Sequence, residues 1–250
     1  MKKILKYLIN GFLGVFGFKI SNLDTGLPLF PVESTLYEQE LINKYLKYSM
    51  TNETRMWSLL KSLEYVLNEK IDGDVLECGV WKGGCIGLMD EYLRVNSSQK
   101  KIYAYDTYDG MSIPSKYDID FKGNQITDLV INNYENIYGY PNKNEVMSNL
   151  KILGSKCDKI KFVKGAVEKT LMDKRNIPEK ISLMRLDTDF YESTKVELEI
   201  LYPLLSKGGI LIIDDYGHYK GARKAVDEYF KEKKPLMHYI DYTCRLIQKF

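Results

Sequence analysis

The chain of 250 residues carries 36 Lys and Arg against 34 Asp and Glu, and 44% of it is hydrophobic. That length suits one sizeable domain with an appendage, and a formal net charge of +2 removes the electrostatic case for a nucleic-acid partner. Cys78, Cys85, Cys157 and Cys244 have no paired short spacing, which reads as reduced thiols of a cytoplasmic protein rather than disulfides or a zinc site.

The chain opens with MKKILKYLINGFLGVFGFKI over residues 1–20. Its uncharged part, Tyr7 to Phe18, is too short to span a bilayer. Three readings stay open: an arm that docks on the domain or on a second subunit of a homo-oligomer, a peripheral membrane contact helped by the lysines, or a cleaved export signal. Residues 21–36 hold Gly26, Pro28 and Pro31 and read as a loop. Two helices follow up to about residue 70. Tyr37, Leu41, Ile42, Tyr45 and Leu46 form one apolar stripe, and Met56, Leu59, Leu60, Leu63, Val66 and Leu67 form the next. Thr51 or Asn52 is placed to cap the second helix, with Glu53 in its first turn. Residues 1–70 are thus expected to form an N-terminal arm and helical cap.

From residue 71 the rhythm alternates. DVLECGV, KIYAYDTY, KIKFVKG, ISLMRLDT and GGILIIDDY read as strands, and GCIGLMDEYLRV, STKVELEILYPLL and GARKAVDEYFKE as helices. Apolar strands between helices predict an α/β fold, a mostly parallel sheet covered on both faces. LMHYI and TCRLIQKF lie too close together for an intervening helix and read as an antiparallel pair at the sheet edge. An insert over about 111–159, polar at first and helical over Asn144–Leu150, is long enough to be a lid.

In an open parallel sheet, ligands bind outside the carboxyl ends of the strands. The first such end reads Glu77-Cys78-Gly79 and runs on to Gly83, a glycine turn that lets a ligand approach a helix N-terminus. It is neither a G-x-G-x-x-G fingerprint nor a P-loop. Asp106 ends the second strand, where a carboxylate accepts ribose hydroxyls in nucleoside-binding sheets. Gly165 and Ala166 follow the third and leave room for a flat adenine. Asp187, Thr188 and Asp189 end the fourth, and Asp214 and Asp215 the fifth. So many hard oxygen donors point to Mg²⁺, Mn²⁺ or Ca²⁺. Helix capping would account for one of these aspartates, not for four.

The segments YSMTNETR, GDVLECGVWKGG, YAYDTYDGM, MRLDTDFYESTKVELEILYPLLSKGGILIIDDYG and GARKAVDEYF resemble, in order, the macrocin O-methyltransferase family. The resemblance covers about residues 48–230. It implies a Rossmann-like class I methyltransferase sheet of seven strands over residues 71–250, ending in an antiparallel hairpin, and S-adenosylmethionine as cofactor. Glu77, Cys78, Gly79, Gly83, Asp106, Gly165 and Ala166 would contact that cofactor, and Thr51 would close over it. Asp187, Asp214 and Asp215 would bind Mg²⁺ or Mn²⁺, and Asp189 would be the general base. Ala166-Val167 stands where relatives often carry a bulkier aromatic pair. The implied reaction methylates a sugar hydroxyl of a glycoside, a surface polysaccharide or an antibiotic-like metabolite. Membrane contact through residues 1–20 would suit a lipid-linked acceptor. Rival readings are a catechol-like diol acceptor, a nicotinamide oxidoreductase lacking its fingerprint, a metal hydrolase lacking its histidines, and a non-catalytic scaffold.

Overall fold

The computed structural model describes residues 29–126 and 139–250. The apolar segment 1–20, with its expected membrane or subunit contact, lies outside the described residues, as does 127–138 of the insert. Among the described residues no helix is long and apolar enough to cross a membrane.

Two helices precede the sheet, α1 (Leu36–Leu46) and α2 (Glu53–Asn68). Thr35 and Glu38 form a reciprocal capping box at α1, and the Asn52 side chain accepts from the Arg55 amide at α2. Their apolar stripes carry Leu41, Ile42 and Tyr45, then Met56, Leu59, Leu60, Leu63 and Val66, all buried.

The elements then alternate as β1 (Asp74–Cys78), α3 (Gly84–Val95), β2 (Ile102–Asp106), α4 (Lys143–Ile152), β3 (Ile160–Lys164), the short α5 (Val167–Thr170), β4 (Ile181–Leu186), α6 (Tyr191–Leu201), β5 (Leu205–Ile213), α7 (Lys220–Tyr229), β6 (Met237–Tyr239) and β7 (Arg245–Gln248). The strands form one seven-stranded sheet in the order β3-β2-β1-β4-β5-β7-β6. The first five run parallel, while β7 is antiparallel to both β5 and β6. Chain order reverses between β1 and β4, so a crevice opens there at the carboxyl ends, as this topology requires.

Period-two alternation decides what each face receives. Leu76 and Cys78 of β1, Met184 and Leu186 of β4, and Leu211 and Ile213 of β5 enter one core cluster with Leu198 and Leu201 of α6 and Val226 of α7. The intervening residues face the other way, and among them are Glu77 and Arg185, partners in the β1–β4 register. An ion pair is therefore set into the middle of a greasy sheet.

Candidate active site

The cleft at the carboxyl edge has a volume of about 300 Å³ and runs from the glycine turn after β1 to the turn between β6 and β7. Glu77, Gly79, Asp106, Gly165, Ala166, Asp187, Asp189, Asp214 and Asp215 all line it. Three other expected contacts do not. Cys78 faces the opposite way from Glu77, and its side chain is fully buried in the core. Gly83 lies under α4, where an added Cβ would sit 3.1 Å from Val146. Thr51 gives way in the lining to its neighbours Ser49 and Met50, and its buried hydroxyl has no hydrogen-bond partner among the described residues.

On the β1–β3 side, Asp106 organises the glycine turn. Its Oδ2 accepts from the amides of Val80 (2.6 Å) and Trp81 (3.1 Å), and its Oδ1 accepts from the Tyr108 amide (2.7 Å). Gly79 has φ +86°, and a Cβ there would stand 1.9 Å from the Asp187 carbonyl oxygen, so only glycine brings the two strand ends this close. Trp81, with φ +46°, donates its indole N–H to the Gly139 carbonyl (3.0 Å). Tyr140 and Pro141 line the cleft beside it, as do Met111 and Ser112. Both described parts of the insert, 111–126 and 139–159, thus contribute to the cleft wall.

On the β4–β5 side the acids converge. Register continues the ladder past Leu186 and Ile213, which places Asp187 opposite Asp214, on the face that carries Arg185. Buried Arg185 donates to Glu77 Oε1 (2.6 Å), Asp187 Oδ2 (2.7 Å) and Asp214 Oδ1 (2.7 Å). Arg55, in the first turn of α2, pairs with the other oxygen of Asp214 and lies 3.0 Å from Asp241. Asp215 belongs to the opposite strand face, but the chain turns there: its carbonyl accepts from the amides of His218 and Tyr219, both at 3.0 Å. Oxygens of Asp187, Asp214 and Asp215 consequently lie within 4.8 Å of one another.

Asp189 is the central residue of a tight turn closed by the Phe190 amide on the Thr188 carbonyl (2.7 Å), and it has φ +65°. Strained backbone of this kind is retained where neighbours over-determine it. The neighbours are visible. Thr188 Oγ1 donates to fully buried Glu197 (3.0 Å), Ser193 Oγ donates to the Thr188 carbonyl (3.2 Å), and the Asp189 amide donates to Asp215 (3.2 Å). Asp118 of the insert, fully buried, accepts from the Tyr191 amide at the N-terminus of α6 (2.8 Å) and from the Ser115 amide (2.6 Å). A carboxylate there also suits the helix dipole.

Six carboxyl groups (Glu77, Asp187, Asp189, Asp214, Asp215 and Asp241) face two guanidinium ions (Arg55, Arg185), which leaves four formal negative charges uncompensated. The consequence is read in proton affinity. Burial pushes Asp189 up to about 8, aided by the charges of Asp187 and Asp214. Asp187 rises to about 6 through burial, which outweighs Arg185. Burial and the Asp189 charge push Asp215 well up. Burial also raises Glu77 to about 8 against Arg185. Asp214 alone is lowered: burial opposes ionisation, but Arg185 and Arg55 together prevail.

A donor set of this chemistry, short of positive charge, fits a divalent cation. On the β1–β3 side, the buried Glu77 Oε2 lacks a hydrogen-bond partner among the described residues, and Asp106 stands at the end of β2. Those acceptors fit the amino and ribose groups of an adenosyl amino acid.

A profile of macrocin-O-methyltransferase (TylF) matches residues 38–249. The chain belongs to this macrocin O-methyltransferase family. Its insert, 111–126 and 139–159 where described, and its terminal hairpin fall inside the match. The chain is 30% identical over 188 residues to mycinamicin III 3''-O-methyltransferase of Micromonospora griseorubida, covering 73% of this chain and 70% of that protein. It is 29% identical over 184 residues to an 8-demethyl-8-(2,3-dimethoxy-alpha-L-rhamnosyl)-tetracenomycin-C 4'-O-methyltransferase of Streptomyces olivaceus, covering 73% and 67%. Among solved structures, the O-methyltransferase NovP superposes with a TM-score of 0.76 at 23% identity, over 86% of this chain and 98% of that one. That likeness is one of fold: the class I methyltransferase sheet expected for the family is the sheet observed.

The reading of strand ends alone does not find Arg55, Arg185, Asp118 or Glu197. Arg185 left a signal, the lone charge in the largely apolar ISLMRL. The other three sit on helices or in the insert, where a charged residue is ordinary.

Proposed function

We propose that this protein is an S-adenosylmethionine-dependent, divalent-metal-dependent O-methyltransferase acting on a sugar hydroxyl. The observation that carries the reading is the single cleft in which Glu77, Gly79 and Asp106 adjoin the acid cluster at the ends of β4 and β5. The rhamnosyl group in the substrate named for the Streptomyces olivaceus relative supports a glycoside-like acceptor. S-adenosylmethionine, when bound, would supply an electrophilic methyl group, the O–C bond to the acceptor forming as the C–S bond breaks and S-adenosylhomocysteine leaves. Asp106 would accept from its ribose, Glu77 and Gly79 would flank its amino acid end, and Gly165 and Ala166 its adenine. Asp187, Asp214 and Asp215 would hold Mg²⁺ or Mn²⁺, whose charge lowers the pKa of a sugar hydroxyl.

The protein's own groups do the rest. Arg185 and Arg55 hold Asp214 ionised and fixed. Asp189, aimed by its strained turn, takes the proton of the acceptor hydroxyl at its carboxylate. Neutralising the cluster brings Asp189 down from about 8 into the range where it is ionised and able to act as a base. Met111, Ser112, Tyr140 and Pro141 of the insert would exclude water from the cleft. Membrane attachment through residues 1–20 and assembly into a homo-oligomer belong to the same proposal.

Calorimetric titration of S-adenosylmethionine into wild type and Asp106→Ala tests the cofactor. Micromolar binding to wild type, weakened at least about tenfold by the substitution, is expected. Absence of binding to the wild type, with or without Mg²⁺, refutes the proposal.

A further inference from the structure

We propose that Phe121, His218 and Tyr242 form the platform on which the pyranose ring of the acceptor lies, an assignment that rests on the sugar O-methyltransferase reading above. The sheet order carries the argument. The expected cofactor contacts lie at β3, β2 and β1, and the acid cluster lies at β4 and β5. The remaining stretch of cleft is bounded by the β5–α7 turn and the β6–β7 turn, and there His218 and Tyr242 line it. An acceptor with its hydroxyl at the acid cluster has this surface beneath the rest of its ring.

The surface is aromatic and open. The ring centroids of Phe121 and His218 are 5.1 Å apart, those of Phe121 and Tyr242 6.0 Å, and those of His218 and Tyr242 5.9 Å, with the planes tilted by 52°, 64° and 69°, so the rings form a shallow aromatic cup in which one ring face at a time can meet a sugar face. Phe121 is 50% exposed and Tyr242 53% exposed, large apolar faces left uncovered beside a polar cleft. A pyranose carries polarised C–H bonds on its faces and hydroxyls on its rim. The C–H bonds suit the negative face of an aromatic ring. The hydroxyls find the His218 Nδ1 and Tyr242 hydroxyl pair, 3.0 Å apart, and the carboxylates beyond.

The platform is also tied to the acid cluster. The Gly217 amide donates to the Thr243 carbonyl (2.8 Å), and Thr243 Oγ1 donates to the Asp214 carbonyl (2.7 Å). A Cβ on Gly217 would stand 1.8 Å from the Tyr242 carbonyl oxygen, so the two turns touch only because this residue is glycine. Phe121 arrives from the insert, which pairs with this region through Asp120 and Tyr219 and through the Lys220 amide on the Ile119 carbonyl (2.8 Å).

The test uses the full chain with Mg²⁺ and S-adenosylhomocysteine, and methyl α-L-rhamnopyranoside and methyl β-D-glucopyranoside as probes, with catechol as the planar comparison. Saturation-transfer NMR is expected to show at least one glycoside bound through its ring C–H protons. Tyr242→Ala and Phe121→Ala should each weaken that binding about tenfold. Tyr242→Phe, which keeps the ring and loses only the hydroxyl, should weaken it less than Tyr242→Ala does. S-adenosylhomocysteine affinity, measured by calorimetry, should stay within about twofold in all three variants. The platform is overturned if the alanine variants bind the glycoside as wild type does, or if wild type binds S-adenosylhomocysteine but neither glycoside, whether or not catechol binds. Failure of wild type to bind S-adenosylhomocysteine overturns the methyltransferase reading itself.

Discussion

Replacing Arg185 by Met leaves Glu77, Asp187 and Asp214 without the cation they share. Arg185 and Glu77 are almost completely buried, with side chains 4% and 1% exposed. Removing one partner from a buried ionic group costs about 3–5 kcal/mol, because the surviving charges stay desolvated. At about 2–4 °C per kcal/mol for a chain of this size, the melting temperature should fall by about 6–20 °C. The loss must depend on pH, and the sign can be worked out. In wild type Glu77 titrates near 8, above its ordinary value, so its contribution is present at acid pH and lost as pH rises through about 8. Asp214 runs the other way: held low by Arg185 and Arg55, it contributes above its ordinary range and loses that contribution in acid. The substitution takes away a main cause of Asp214's lowering and the ion pair that holds Glu77 down, so both then favour the proton. The deficit should therefore be largest near pH 8 and shrink toward pH 5. Thermal and urea unfolding followed by circular dichroism at pH 5, 6, 7 and 8 measures it. A loss below about 1 kcal/mol at pH 8, or one that does not vary with pH, refutes the claim that Arg185 holds the cluster together.

Three further outcomes are expected. Asp189→Asn should lower kcat by about 10²–10⁴-fold while leaving calorimetric S-adenosylmethionine affinity nearly unchanged, and a kcat close to wild type would remove Asp189 as the base. Mg²⁺ should raise the melting temperature more at pH 8 than at pH 6, because protons compete with the metal for Asp187, which titrates at about 6, and for Asp215, which burial and the Asp189 charge push well up. Equal shifts at the two pH values would place the ion elsewhere. Gly79→Ala puts a methyl 1.9 Å from the Asp187 carbonyl at a φ of +86°, and should cost at least about 2 kcal/mol in urea unfolding together with cofactor binding. A variant of wild-type stability would show that the β1 and β4 ends can separate.

Placing the pyranose beyond the acid cluster divides labour along the sheet edge. The glycine turn and Asp106, expected to receive the cofactor, belong to the sheet shared by the fold. Phe121 belongs to the insert, and Tyr242 to a turn between two short strands. Acceptor choice can thus vary through exposed loop residues while the buried Arg185 cluster stays intact, since changes in the latter are costly and changes in the former are not.

Much of this architecture is local and so was legible in the sequence. Hydrophobic periodicity predicted α3 over GCIGLMDEYLRV, the residues the helix occupies, and each parallel strand was recognised by its apolar run. The lack of a helix between the last two apolar segments predicted the antiparallel pair. The aspartates at the ends of β4 and β5 were found because strand ends are sequence features and sheet topology sends them to one edge. What stayed hidden depends on contacts remote in sequence. Cys78 was expected at the cofactor and is buried in the core, because alternation gives the cleft side to Glu77 and nothing in a five-residue strand says which side that is. Arg55 reaches Asp214 across 159 residues of chain, and Asp118 caps α6 across 73. Asp187 and Asp214 become neighbours only through the β4–β5 register, which the length of the intervening α6 does not determine. Sequence alone determined which residues could carry the chemistry. The tertiary structure decided which charges meet, because pairing energies depend on separation and burial, and both arise only when distant strands lock into register.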